Sequence, residues 1–157
     1  MESRKVFLFT IILFTLIFIT RKINADYLDS WQDYSFFIDN RLDRISKVED
    51  VNRPDFNFCL KTANQLKQII SDKLISTLSM RTVKTSKDAD LYIEINITPE
   101  SNGSYSIVCI GNNEIVLSVE VKDFNFNKAF EEVINLLFKN LNTHEPPLMI
   151  LTFADGM

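Results

Sequence analysis

The chain predicts an α+β fold: a two-layer sandwich in which an antiparallel meander of three to five strands is covered by helices, preceded by an N-terminal hydrophobic helix. Three observations carry this expectation. Apolar residues recur every three or four positions on both sides of a central stretch, and within that stretch they alternate. Two turn signals, Pro99-Glu100-Ser101-Asn102-Gly103 and Gly111-Asn112-Asn113, divide the alternating part into short strands. A meander with one apolar face has to bury it against helices.

The first segment, residues 1–25, reads as a signal peptide or membrane anchor. From Val6 to Thr20 the run is apolar except for Thr10, Thr15 and Thr20. As a helix, these fifteen residues would rise about 22 Å against roughly 30 Å of bilayer hydrocarbon. That is short for a span and long for a signal's apolar region. Ala25 offers a cleavage point, while Arg21 and Lys22 stand between it and the run, so cleavage and retention both stay open. The phenylalanines, leucines and isoleucines of the run cover every side of such a helix, which a small soluble core cannot bury. Residues 26–50 carry seven acids and three bases, which leans toward an N-terminus inside and a domain outside the cytosol. The expected location is therefore extracytoplasmic, either anchored or secreted (periplasmic) after cleavage near Ala25.

Residues 26–53 are expected to form an amphipathic, aromatic-rich helix and a linker, because Tyr27, Trp31, Tyr34, Ile38, Leu42, Ile45 and Val48 fall at helical spacing. Residues 54–157 make the α+β domain. Its first helix is expected over about Leu60 to Leu78, with Ala63, Leu66, Ile69, Ile70, Leu74 and Leu78 inward. Arg81 to Lys84 suits a short strand. Leu91, Ile93, Ile95 and Ile97 form one face of the next; Ser104 to Ile110 and Glu114 to Val121 complete the meander. Asn125 or Asn127 caps a last helix running to about Leu141, and Pro146-Pro147 ends it. Leu148 to Phe153 is apolar and β-compatible, fit for an edge strand or a packed tail.

The stretch Lys87-Asp88-Ala89-Asp90-Leu91-Tyr92-Ile93-Glu94-Ile95 resembles small bacterial periplasmic or lipoprotein-type helix-over-sheet domains of envelope assemblies, over roughly residues 60–141. The resemblance carries no diagnostic residue. Such lipoproteins have a lipidated Cys directly after the signal, and none lies near Ala25.

Charge narrows the partners. Without residues 1–25 the chain has 13 Lys plus Arg against 20 Asp plus Glu, a net charge of −7. A nucleic-acid partner is not expected from that balance, since phosphate backbones are met by basic stripes. Neither a catalytic nor a metal or cofactor site is expected. His144 is the sole histidine, and no Cys or His pair has ligand spacing. Cys59 and Cys109 sit among apolar neighbours, a setting that suppresses thiolate; they are candidates for one disulfide or for two buried free thiols. Three glycines leave no phosphate cradle. Asn96-Ile97-Thr98 and Asn102-Gly103-Ser104 match the glycosylation pattern.

The expected function is a non-catalytic interaction domain, an accessory subunit or assembly factor of a membrane-associated or envelope complex. Its partner is a protein or another copy of the chain at the membrane, which residues 6–20 reach if uncleaved. The contact candidates are Tyr27, Trp31, Tyr34 and Phe37 with Ile150 and Phe153 of the tail, an apolar surplus beyond what one small sheet needs. Two other classes stay open: a small extracytoplasmic hydrolase using paired carboxylates, with Glu94 and Glu120 as cross-strand neighbours, and a carrier of an apolar ligand.

Overall fold

The computed structural model describes residues 27–48, 54–112 and 115–147. The hydrophobic segment of residues 1–25 and the tail with Ile150 and Phe153 lie outside the described residues. The strands are β1 (Ser35–Asn40), β2 (Arg81–Thr82), β3 (Leu91–Pro99), β4 (Tyr105–Gly111) and β5 (Val116–Val121). The helices are α1 (Arg41–Val48), α2 (Pro54–Leu78) and α3 (Phe126–Thr143), with short 3-10 turns at Leu28–Trp31 and Ser86–Asp88. The sheet order is β2-β1-β3-β4-β5.

The α+β class and the meander are as expected, but the sheet is mixed. β3, β4 and β5 pair antiparallel, whereas β1 runs parallel to both β2 and β3. The stretch expected as one helix from Asp26 onward is a 3-10 turn, a strand and a short helix. Burial explains why. Phe36, Ile38 and Asn40 face the core while Phe37 and Asp39 face out, a period of two inside a stretch whose larger residues also fall at helical spacing. Residues 35–40 are therefore part of the domain's sheet, not a separate helical module.

β1 is held in register by a side-chain clasp. Asp90 Oδ2 accepts from the Ser35 backbone N–H at 2.8 Å and from the Ser35 hydroxyl at 2.6 Å, and the Asp90 N–H donates back to Ser35 O at 3.1 Å. At the other end Asn40 turns the chain into α1. Its Oδ1 accepts from Leu42 N at 3.0 Å, the N-cap bond, while its Nδ2 donates to Asn64 Oδ1 of α2 at 3.0 Å.

α2 starts at Pro54, earlier than the expected Leu60, because proline suits the first helical position, where its missing N–H costs nothing. Gly111 serves close approach instead of a left-handed turn: a Cβ there would meet the Tyr92 carbonyl oxygen at 2.7 Å.

One face of the sheet meets α2 and α3. Leu91, Ile93, Ile95 and Ile97 of β3, Ile107 and Cys109 of β4, and Leu117, Val119 and Val121 of β5 are buried there with Leu66, Ile70, Leu74, Val133 and Leu137. Each such side chain contributes about 1.5–3 kcal/mol by leaving water. Asn125 caps α3, its side chain accepting from Lys128 N at 3.2 Å.

Both helices run the same way along this core. α2 and α3 start at the pole where Phe58 and Phe126 meet Tyr105 of β4. At their far end Arg81 N, just beyond α2, donates to Tyr34 O, and Asn142, near the end of α3, accepts from Tyr27 N at 3.3 Å. Trp31 locks this second pole. It is fully buried, and its indole N–H donates to Leu141 O at 3.0 Å and His144 O at 3.1 Å, the last carbonyls of α3 and just past it.

Trp31→Phe removes that donor and leaves a void. It is expected to lower stability by about 2–3 kcal/mol in urea unfolding. Ser30→Ala, at an exposed neighbouring position, should stay within about 0.5 kcal/mol.

Candidate functional site

The residues expected to meet a partner divide by position. Trp31 is taken up by the core, and Tyr34 packs edge-on against it with ring centroids 5.8 Å apart, its hydroxyl donating to Pro147 O at 2.9 Å. Tyr27 is half-buried and tied to Asn142 through its backbone. Phe37 lies on the outer face of the sheet, stacked on Tyr92 at 6.2 Å.

The outer face is where carboxylates gather. Asp39 and Glu94 are register partners on β1 and β3, and Arg44 of α1 lies against both, with Nε 2.7 Å from Asp39 Oδ2 and a terminal nitrogen on Glu94 Oε2. Tyr92 Oη donates to the same Glu94 oxygen at 3.3 Å, and burial together with the Glu94 charge pushes its phenol up from the ordinary 10.0. One guanidinium shared by two carboxylates is charge compensation, whereas glycoside hydrolysis wants one acid kept protonated opposite one ionised. Glu94 and Glu120 are not cross-strand neighbours. Glu94 pairs with Ile110 and Glu120 with Ser106, at different levels of β4.

Cys59 and His144 cannot act on one another. Cys59 stands next to Phe58 in the opening turns of α2, at the aromatic pole, while His144 follows the end of α3 at the other. His144 Nδ1 lies 2.7 Å from Asn140 O, an ordinary helix-end contact. Cys59 and Cys109 are both buried free thiols, and burial raises both, Cys109 to about 12. Among the described residues no three His, Cys, Asp or Glu side chains come together as a metal site would require.

The feature that sequence reasoning missed is the aromatic pole. Lys122–Asn125 connects β5 to α3, and within it Asp123 and Phe124 take left-handed backbone, with φ of 52° and 55°. For a bulky residue that costs on the order of 1–2 kcal/mol. The result is a phenylalanine ring held 69% exposed. Its edge meets Tyr105 at 5.9 Å; Tyr105 in turn meets Phe126 at 5.4 Å and Phe58 at 5.5 Å, and Phe126 meets the buried Phe130 at 6.2 Å. Phe58 is itself 42% exposed. Beside this cluster an open cleft of about 500 Å³ runs between the β3–β4 turn and Phe124, with Asn102, Ser104, Glu120 and Lys122 adding polar groups to its wall. Phe58 of α2, Tyr105 of β4 and the pair Phe124 and Phe126 at the start of α3 come from three places far apart in the chain, so no local pattern announces the patch.

No protein family model matches the chain, and no curated protein matches it. Among the described residues no helix is long and apolar enough to cross a membrane.

The buried thiols make stability fall in alkali. An unfolded cysteine ionises near 9.0 and folded Cys109 near 12, so the stability held in its neutral form is whole below pH 9 and is lost as pH rises toward 12. Between about pH 9 and 10.5 the parent chain should lose about 2 kcal/mol more than Cys109→Ala in urea unfolding. Equal losses would place that thiol in contact with water.

Proposed function

We propose that the chain is a non-catalytic interaction domain, an accessory subunit or assembly factor held at or exported across a membrane, that meets its protein partner with the aromatic pole. The observation that carries this reading is Phe124, an exposed ring kept in place on unfavourable backbone. Strain of that kind persists where the surroundings or a use maintain it. Aromatic rings around a cleft with a polar rim suit the anchor-and-rim pattern of protein interfaces.

The placement suits a membrane-targeted chain. The N-terminal segment joins the fold at Tyr27, and α3 separates that pole from Phe124 by about 27 Å at 1.5 Å per residue. A domain tethered through residues 6–20 would present its aromatic pole away from the bilayer. Tyr27, Trp31, Tyr34 and Phe37 then fall to folding and orientation, and the contact passes to Phe58, Tyr105 and Phe124. The hydrolase reading has less to stand on, since Asp39 and Glu94 share Arg44.

Phe124→Gly separates binding from folding, because glycine takes a φ of 55° without strain. Its unfolding free energy should stay within about 1 kcal/mol of the parent, while recovery of the crosslinked partner from membranes falls at least tenfold or so. A photo-crosslinker placed at Phe124 should capture a discrete protein, and one placed at Val116 on the outer sheet face should not. Capture at Val116 alone would move the interface to the open sheet.

A further inference from the structure

The two edges of the sheet are unlike. β2, at one edge, has two residues, too short to template another strand. β5, at the other, has six, contains neither Pro nor Lys, and among the described residues no strand pairs with its outer side. The register says which backbone groups are left open. Gly111 N donates to Ile115 O at 2.8 Å, which makes these two a hydrogen-bonded pair, and in an antiparallel ladder such pairs alternate. Leu117 and Val119, opposite Cys109 and Ile107, therefore turn their N–H and C=O toward β4, while Ser118 and Glu120 turn theirs to the open edge.

A groove lies along that edge. α3 packs against β5, and between them is a cleft of about 270 Å³, walled by Ser118 and Glu120 on the strand and by Lys128, Ala129 and Glu132 on the helix. Glu120 and Lys122 wall both this cleft and the one beside Phe124, so the edge runs into the aromatic pole. The ion pairs among the described residues, on Arg44 and Lys47, use none of the groove's Glu and Lys side chains.

We propose that the partner supplies an extended segment that adds to β5 as a sixth strand, between β5 and α3, with an apolar side chain of the segment against Phe124 and Tyr105. This rests on the reading of the aromatic pole as the partner-binding face and names what binds there. The backbone of the segment pairs with Ser118 and Glu120 and runs on toward Phe124, away from Val116. Main-chain bonds then give affinity, and the pole reads the side chain. A second copy of the chain fits less well. Strands pair about 4.8 Å apart, whereas packed helices need about 8–10 Å between axes. Because α3 lies on β5 itself, joining two such edges would crowd the two α3 helices together. An extended segment brings no helix to the groove.

The test uses the full chain in detergent micelles, with peptides selected on it from a phage-displayed random library as the probe. Without peptide the amides of Ser118 and Glu120 should exchange with solvent quickly and those of Leu117 and Val119 slowly; bound peptide should slow the first pair and leave the second as it was. Methylating the peptide's amide nitrogens one at a time should weaken binding about tenfold at every second position along the paired stretch. Phe124→Gly should weaken binding at least as much.

Slow exchange at Ser118 and Glu120 in the free chain would show the edge already covered, by the chain itself or by a second copy, and would overturn the proposal. So would failure to select any peptide. Peptides that depend on Phe124 but leave both edge amides fast would overturn strand addition and leave the aromatic pole as the binding face. Peptides that protect both amides but bind Phe124→Gly undiminished would overturn the pole as the anchor, so the two readings fail separately.

Discussion

The clasp between Ser35 and Asp90 is the contact on which the rest of the structure depends. It fixes the start of β1 against the start of β3, with the Asp90 carboxylate accepting from both the backbone N–H and the hydroxyl of Ser35. Once that register is set, Phe36 and Ile38 fall on the core side opposite Leu91 and Ile93, and Phe37 and Asp39 fall outside opposite Tyr92 and Glu94. A slip of one residue would send Phe37 and Asp39 into the core. The same register carries β2, whose two residues pair only with β1, and through it the end of α2.

From the clasp follows the polarity of the molecule. β1 ties the chain after the hydrophobic segment into the sheet between β2 and β3, and Trp31, just before it, receives the end of α3. The pole where the chain enters and leaves is thereby closed by hydrogen bonds to helix-end carbonyls, groups that would otherwise face water or go unpaired. The opposite pole is finished with aromatic rings, of which Phe58 and Phe124 are exposed, the latter on a connection that adopts left-handed backbone twice in succession. One end is built for attachment within the chain; the other has apolar surface left over.

Much of this was legible in the sequence, for identifiable reasons. The alternation at Leu91, Ile93, Ile95 and Ile97 and at Ile115, Leu117, Val119 and Val121 survives in the burial of every one of those residues, because an antiparallel meander with one covered face leaves a clean period of two. The cap of α3 was legible to within two residues, as Asn125 or Asn127, because its side-chain chemistry is local; the bond from Lys128 N selects Asn125. β1 was not. It is short, its partners are parallel and distant, and no hairpin turn advertises it. Its bulky neighbours Trp31 and Tyr34 then imitate a helical stripe together with Ile38. The aromatic pole was illegible for a different reason: Phe58, Tyr105, Phe124 and Phe126 meet only after the fold has formed.

The central claim is that residues 35–40 are a structural strand of the domain and not a linker helix between membrane and domain. Amide hydrogen exchange on the intact chain tests it most directly. Global unfolding should be needed to release the amides of Phe37 and Asp39, whose backbone faces β3, so that they exchange as slowly as those of Ile93 and Ile95 in β3. Exchange at those two positions orders of magnitude faster, with β3 still protected, would show that the segment folds apart from the sheet and would contradict the account.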